Sequence, residues 1–190
     1  MQTRTNKGFT LMEVIGVLAV IAIIAAVATP QIFQAIQDAK VTALVQEAND
    51  LKSAVARYYK DTGTWPRHTP SSNRNGQKQL MVNSDRRGNQ IQGWDGPYIE
   101  AELQNPITAG AYMDLRVTDD RRIACDLDGD RSIDGTFITL RVDGVSDDIA
   151  EEISNMLDKD GGERNWMSAG RVKRLNNNHR SALVMCLARV

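Results

Sequence analysis

From Val14 to Gln37 the chain carries no charged residue, and Val14 to Ala28 is apolar except for Gly16. One acid, Glu13, stands at the front of this run. With Ile32, Phe33 and Ile36 added, the segment is long enough to cross most or all of a bilayer as a helix. Arg4 and Lys7 precede it and put the N terminus on the cytoplasmic side by the positive-inside rule. A secretory signal peptide would share this basic start, and "AAVATPQ" offers a weak cleavage site of small residues. The run continues without a break in composition into an amphipathic pattern, however, so cutting there would behead a long helix. A buried core helix is the other alternative, but no second apolar segment of comparable length exists to cover one that is hydrophobic all round.

Beyond Pro30, Val41, Leu44, Ala48, Leu51, Val55 and Tyr58 recur at alternating spacings of three and four and mark one helical face. "KDTGTWP" supplies the stop, because Gly63 can adopt the left-handed capping conformation and Pro66 blocks resumption. A single helix from Phe9 to Lys60 would span about 78 Å at 1.5 Å per residue. Pro30 removes one hydrogen bond and introduces a bend. The first half suits lipid or helix packing, and the second suits one face of a globular head.

At 190 residues the chain has room for one domain with a core plus an appendage. Its 23 basic and 24 acidic residues leave a net charge of -1, so no global field favours nucleic acid or an acidic membrane surface. Two histidines, His68 and His179, and two cysteines, Cys125 and Cys186, are a thin inventory for an enzyme. No phosphate loop or nucleophile motif accompanies them.

"KGFTLMEV" resembles the cleavage and methylation motif of type IV pilins and type II secretion pseudopilins: a short basic leader, Gly8, then Phe9, Thr10, Leu11 and Glu13. Pro30 and the helix end "AVARYYKDTGTWP" are similar too, so the likeness runs from Gly8 to Pro66. It implies that a membrane-embedded prepilin peptidase cuts between Gly8 and Phe9 and methylates the new amine of Phe9. It also implies a subunit held in the inner membrane by one span and then polymerised into a helical homo-oligomer by a pilus or secretion assembly platform. A carboxylate near the membrane centre costs roughly 2.5 to 3.5 kcal/mol, so Glu13 needs a partner. The charged amine of a neighbouring subunit's Phe9 would supply one and set axial register. The alternative is a Glu13 that only satisfies the free N–H groups of its own helix start.

The implied organisation is a leader at residues 1–8, a membrane-spanning and filament-core half-helix at 9–36, and a periplasmic or extracellular head at 37–190. Within the head, 37–60 continues the helix, 61–110 is a connecting loop, and 111–190 forms the sheet and C-terminal loop. "RHTPSSNRNGQKQLMVNSDRRGNQIQG" reads as a long surface loop, and the aromatics of "GWDGPYI" read as anchors pinning it to the core. Ala111, Met113, Leu115 and Val117 alternate, as do Ile138, Leu140 and Val142, which predicts half-buried strands. "SDDIAEEISNMLDKDGG" predicts a helix capped by Ser146, with Ile149, Ile153, Met156 and Leu157 inward and its end at Gly161. "ALVMCLARV" is apolar on both faces and predicts a central strand. The fold class is α+β, a pilin-like roll with the long N-terminal helix packed on an antiparallel sheet and one extra short helix.

With the head outside the cytoplasm, Cys125 and Cys186 can form a disulfide, similar to the one that pins a C-terminal loop in many pilins. Two buried free thiols are the alternative. "DLDGDRSID" places Asp126, Asp128, Asp130, Ser132 and Asp134 at alternate positions, as oxygen ligands around a hard cation would be. An EF-hand is rejected, since Arg131 replaces the turn glycine and Phe137 stands where the bidentate Glu belongs. A looser calcium loop at Asp126, Asp128, Asp130 and Asp134 is the alternative that the resemblance implies, since major secretion pseudopilins bind calcium in their heads. A solvated acidic turn is favoured over it. "RVKRLNNNHR" gathers Arg171, Lys173, Arg174, Arg180 and His179, but without interleaved aromatics it reads as a solvated edge rather than a nucleic-acid surface. The function these readings support is a structural pilus subunit, with a secretion pseudopilin as the alternative and an anchored enzyme disfavoured.

Overall fold

The computed structural model describes residues 8–67, 75–85, 87–111, 113–118, 125–127, 132, 135–158, 170–177 and 180–190. It divides into two compact units, Met1–Ala39 and Lys40–Val190. One helix, α1 (Leu11–Thr62, 52 residues), contributes to both. Pro30 lies within this helix, which continues unbroken across it. In the first unit the large apolar side chains of α1 from Leu11 to Ile36 are exposed.

In the second unit, Val41, Leu44, Ala48, Leu51, Ala54, Val55 and Tyr58 of α1 are buried, matching the expected face. The helix stops where expected: Gly63 has φ 65°, and its N–H donates to the Tyr59 carbonyl at 2.8 Å. Four strands follow in the described chain: β1 (Met113–Thr118), β2 (Phe137–Asp143), β3 (Val172–Asn177) and β4 (Arg180–Arg189). They form one antiparallel sheet in the order β1-β2-β4-β3. The C-terminal strand β4 is thus central, as its apolar run predicts. Met113, Leu115, Ile138, Leu140, Val142, Leu183, Met185 and Leu187 join the α1 face in one hydrophobic cluster. The α+β architecture is the expected one.

Several expectations need correction. The segment read as a surface loop contains a helix, α2 (Asn75–Met81), with Gln77, Gln79 and Leu80 buried. Its only apolar side chains are Leu80 and Met81, so no helical periodicity is visible. Its glutamines are buried because their amides are hydrogen bonded. Gln77 Nε2 donates to the Met113 carbonyl at 3.1 Å, so α2 occupies the free edge of β1 and blocks further strand pairing there. The aromatics after this segment are the anchors expected: the Trp94 indole N–H donates to the Gln79 carbonyl at 2.8 Å, and Tyr58 and Tyr98 meet edge to face at 5.5 Å. Gly93 has φ 78° and lies against the Asp61 carbonyl, which a Cβ would overlap. Gly93→Ala is therefore expected to cost about 3 kcal/mol, from a strained dihedral plus a backbone clash. Calorimetry should register this as a Tm drop of roughly 6 to 12 °C.

β1 is buried at Met113, Asp114 and Leu115 and partly exposed at its other three positions, whereas β2 is more than half-buried. β2 is buried at six of its seven positions, the exception being Arg141. The face opposite α1 carries Asp114 and Asp143, both buried, with Arg116 Nε 2.6 Å from Asp114 and Arg141 Nε 2.7 Å from Asp143. Asp114 also stands directly across from Arg141 in the β1–β2 register. Alternating polar residues usually mark a wet face, but charges that are mutually paired and hydrogen bonded can be buried. The third helix, α3 (Asp147–Leu157), buries Ile149, Ala150 and Ile153 as its spacing demands. Met156, expected inward, is exposed. Ser146 has extended N-cap geometry but makes no side-chain capping bond. Asp158 follows the last helical residue, and Gly161, the expected stop, lies outside the described residues.

Candidate functional site

The motif residues converge at the start of α1. Thr10 is the N-cap and Glu13 the third helical residue. The Thr10 N–H and hydroxyl both donate to Glu13 Oε2 at 2.8 Å, and the Glu13 N–H donates to Thr10 Oγ1 at 3.3 Å. This reciprocal arrangement is a capping box, in which two otherwise orphaned N–H groups at the helix start find acceptors. A negative side chain there also complements the positive end of the helix dipole. The carboxylate is thus satisfied through one oxygen, while Oε1 accepts no hydrogen bond among the described residues. Thr10 stands in the motif, but its role as the carboxylate's partner was missed. The T-x-x-E spacing is the signal that would have found it.

Gly8 and Phe9 lie just ahead of the helix and are exposed, with Phe9 88% accessible. Residues 1–7, the rest of the expected leader, lie outside the described residues. Behind them, α1 contains a window long and apolar enough to cross a membrane. None of that window is buried inside the chain. At Pro30 the ring removes the amide that would have bonded to Ala26, and the preceding Thr29 donates its hydroxyl to the Ala25 carbonyl at 2.6 Å.

In the second unit Cys125 and Cys186 are joined by a disulfide with a Cα–Cα distance of 6.4 Å. Both are buried and form a separate small cluster with Phe137. Asp126, next to Cys125, makes an isolated antiparallel bridge with Gly170, whose N–H donates to the Asp126 carbonyl at 2.7 Å. Asp128, Asp130 and Asp134 lie outside the described residues, as do His68 and His179. Among the described residues, no group of three His, Cys, Asp or Glu side chains is placed to hold a metal ion.

The basic segment "RVKRLNNNHR" contains β3, an edge strand that its charges obscured. Arg174 pairs with Asp147 at the start of α3. Burial pushes the Lys173 ammonium below the usual lysine range, against the opposing pull of the Asp126 carboxylate. These two cations are therefore committed to the head's own packing.

A family model described as "PilW, C-terminal" matches residues 35–130, about half of the chain. A second, described as "Prokaryotic N-terminal methylation motif", matches residues 3–29, which include Gly8, Phe9, Thr10 and Glu13. No curated protein and no solved structure matches the chain.

Proposed function

The chain belongs to the type IV pilin and pseudopilin family, and from that premise we propose that it is the structural subunit of a type IV pilus-like filament. It is stored in the inner membrane with its N terminus in the cytoplasm. After prepilin peptidase cuts between Gly8 and Phe9, it is polymerised through the front half of α1. The observation that carries this reading is that half-helix itself. It begins in a methylation motif and exposes apolar side chains from Phe9 to Ile36. A helix apolar on every side requires lipid or other helices around it. The same segment therefore serves as anchor in the membrane and as core in the filament.

The alternative is a type II secretion pseudopilin, favoured by the helix end "YYKDTGTWP" and the acidic run from Asp126 to Asp134. The disulfide and the long C-terminal segment favour the pilus. A strain lacking this chain separates the two: loss of surface filaments with protein export intact supports the pilus, while lost export with filaments retained overturns it. The mature protein is expected to begin at N-methyl-Phe9 when its N-terminal peptide is read by mass spectrometry. An N terminus near Gln31 would mean ordinary signal-peptide removal and no filament-core helix.

A further inference from the structure

Beside the end of α1 the head holds a cleft of about 490 Å³ whose walls include Trp65, Arg67, Asp85, Arg87 and Gln90. That volume falls within the roughly 300 to 1,000 Å³ typical of small-ligand sites. Its arginines are fixed at the backbone. Gln79, only 5% exposed, clamps Arg67 from both sides: its Oε1 accepts the Arg67 N–H at 3.1 Å and its Nε2 donates to the Arg67 carbonyl at 3.2 Å. The Tyr58 hydroxyl donates to the same Oε1 at 3.2 Å and locks the amide in turn. On the other side, Asp85 Oδ1 accepts the N–H groups of Arg87 at 2.8 Å and Asn89 at 2.7 Å, while Oδ2 accepts the Asn89 amide at 3.1 Å. The carboxylate is thus engaged in shaping its own loop.

Neither guanidinium forms a hydrogen bond or ion pair among the described residues, although Arg87 feels the charge of Asp85 at longer range. This contrasts with Arg116, Arg141 and Arg174, which are all paired with acids. Trp65 stacks on Tyr59 with ring centroids 4.0 Å apart, so one indole face is covered and held while the residue still lines the cleft. The Gln90 amide likewise forms no hydrogen bond among the described residues.

The geometry points to a binding site for a carboxylate-bearing saccharide. A pyranose presents an apolar C–H face that suits an indole and a hydroxyl edge that suits an amide such as Gln90. Its carboxylate matches the planar fork of a guanidinium, which binds such groups in bidentate fashion. A nucleic-acid strand fits less well. Tyr58 is buried and Tyr59 is stacked on Trp65, so no series of aromatic platforms is available for successive bases, and the net charge of -1 provides no extended basic track. The site belongs to the head and does not depend on which filament the subunit builds.

The test uses the full processed chain in micelles of an uncharged detergent, titrated by calorimetry with trigalacturonate, a neutral trisaccharide, inorganic phosphate and a short oligothymidylate. Trigalacturonate is expected to bind saturably and at least tenfold more tightly than the other three. The Arg67→Gln, Arg87→Gln double variant and Trp65→Leu should each weaken it at least tenfold, with the melting temperature of the double variant unchanged. Lys52→Gln, on the exposed side of α1, should leave the affinity intact. Absence of saturable binding, equal affinity for any of the other three probes, or binding that survives the double variant overturns the proposal.

Discussion

Glu13→Gln is expected to be cut at Gly8 and retained in the membrane like the unaltered chain, yet to enter filaments at least tenfold less efficiently. The choice of glutamine follows from the capping box. Its amide oxygen can accept the Thr10 N–H as Glu13 Oε2 does, so the helix start survives. What disappears is the charge, and with it any ion pair to the methylated Phe9 amine of a neighbouring subunit. The capping box engages one carboxylate oxygen through Thr10, so the other can meet an incoming cation without dismantling the cap. A pair worth only about 1.4 kcal/mol changes an equilibrium tenfold. Desolvated charge pairs exceed that when one partner is removed. Glu13→Ala removes both cap and charge and should fail at least as severely. The readout is the ratio of sheared surface filament to cell-bound mature subunit. Normal incorporation of Glu13→Gln would reduce the carboxylate to a helix cap and sink the register role.

How much of this was legible in the sequence depends on where the physical signal sits. The apolar run, the amphipathic face from Val41 to Tyr58 and the Gly63 stop are local periodicities and local turn chemistry, and the structure follows them. The inward faces of β1 and β2 and the central position of β4 were readable for the same reason. Two elements were not. α2 is built from glutamines whose burial depends on partners far along the chain, the Met113 carbonyl for Gln77 and the Tyr58 hydroxyl for Gln79. β3 carries Lys173 and Arg174, charges that read as solvent-facing until the sheet and α3 provide Asp126 and Asp147. The paired face of Asp114, Arg116, Arg141 and Asp143 was hidden likewise, because alternation shows that two faces differ but not that one is dry. At the candidate site, Glu13 was conspicuous as a lone acid before an apolar run. Its partner Thr10 was less so, since a hydroxyl near a helix start is common.

The second large effect is expected from the disulfide. Replacing both Cys125 and Cys186 by alanine should destabilise the head by about 4 kcal/mol, the chain-entropy value for a loop closed across a sequence separation of 61 residues. Alanine is chosen because both positions are buried beside Phe137, where a serine hydroxyl would add a separate desolvation cost. The bond joins the central strand β4 to the segment around Asp126, which also bridges to Gly170 just ahead of the edge strand β3. Without it, β2, β3 and β4 keep their pairing, but the 125–127 segment loses its covalent tie to β4 and keeps the bridge to Gly170 and the attraction between Asp126 and Lys173. Total stabilities run to about 5 to 15 kcal/mol, so the loss is a large fraction of the whole. A Tm drop of roughly 8 to 16 °C in the double variant is the expected reading. Reducing the unaltered protein should reproduce that drop and have no effect on the variant. A shift below about 2 °C in both experiments would show that the bond constrains an already rigid segment, leaving the core around α1 to carry the head.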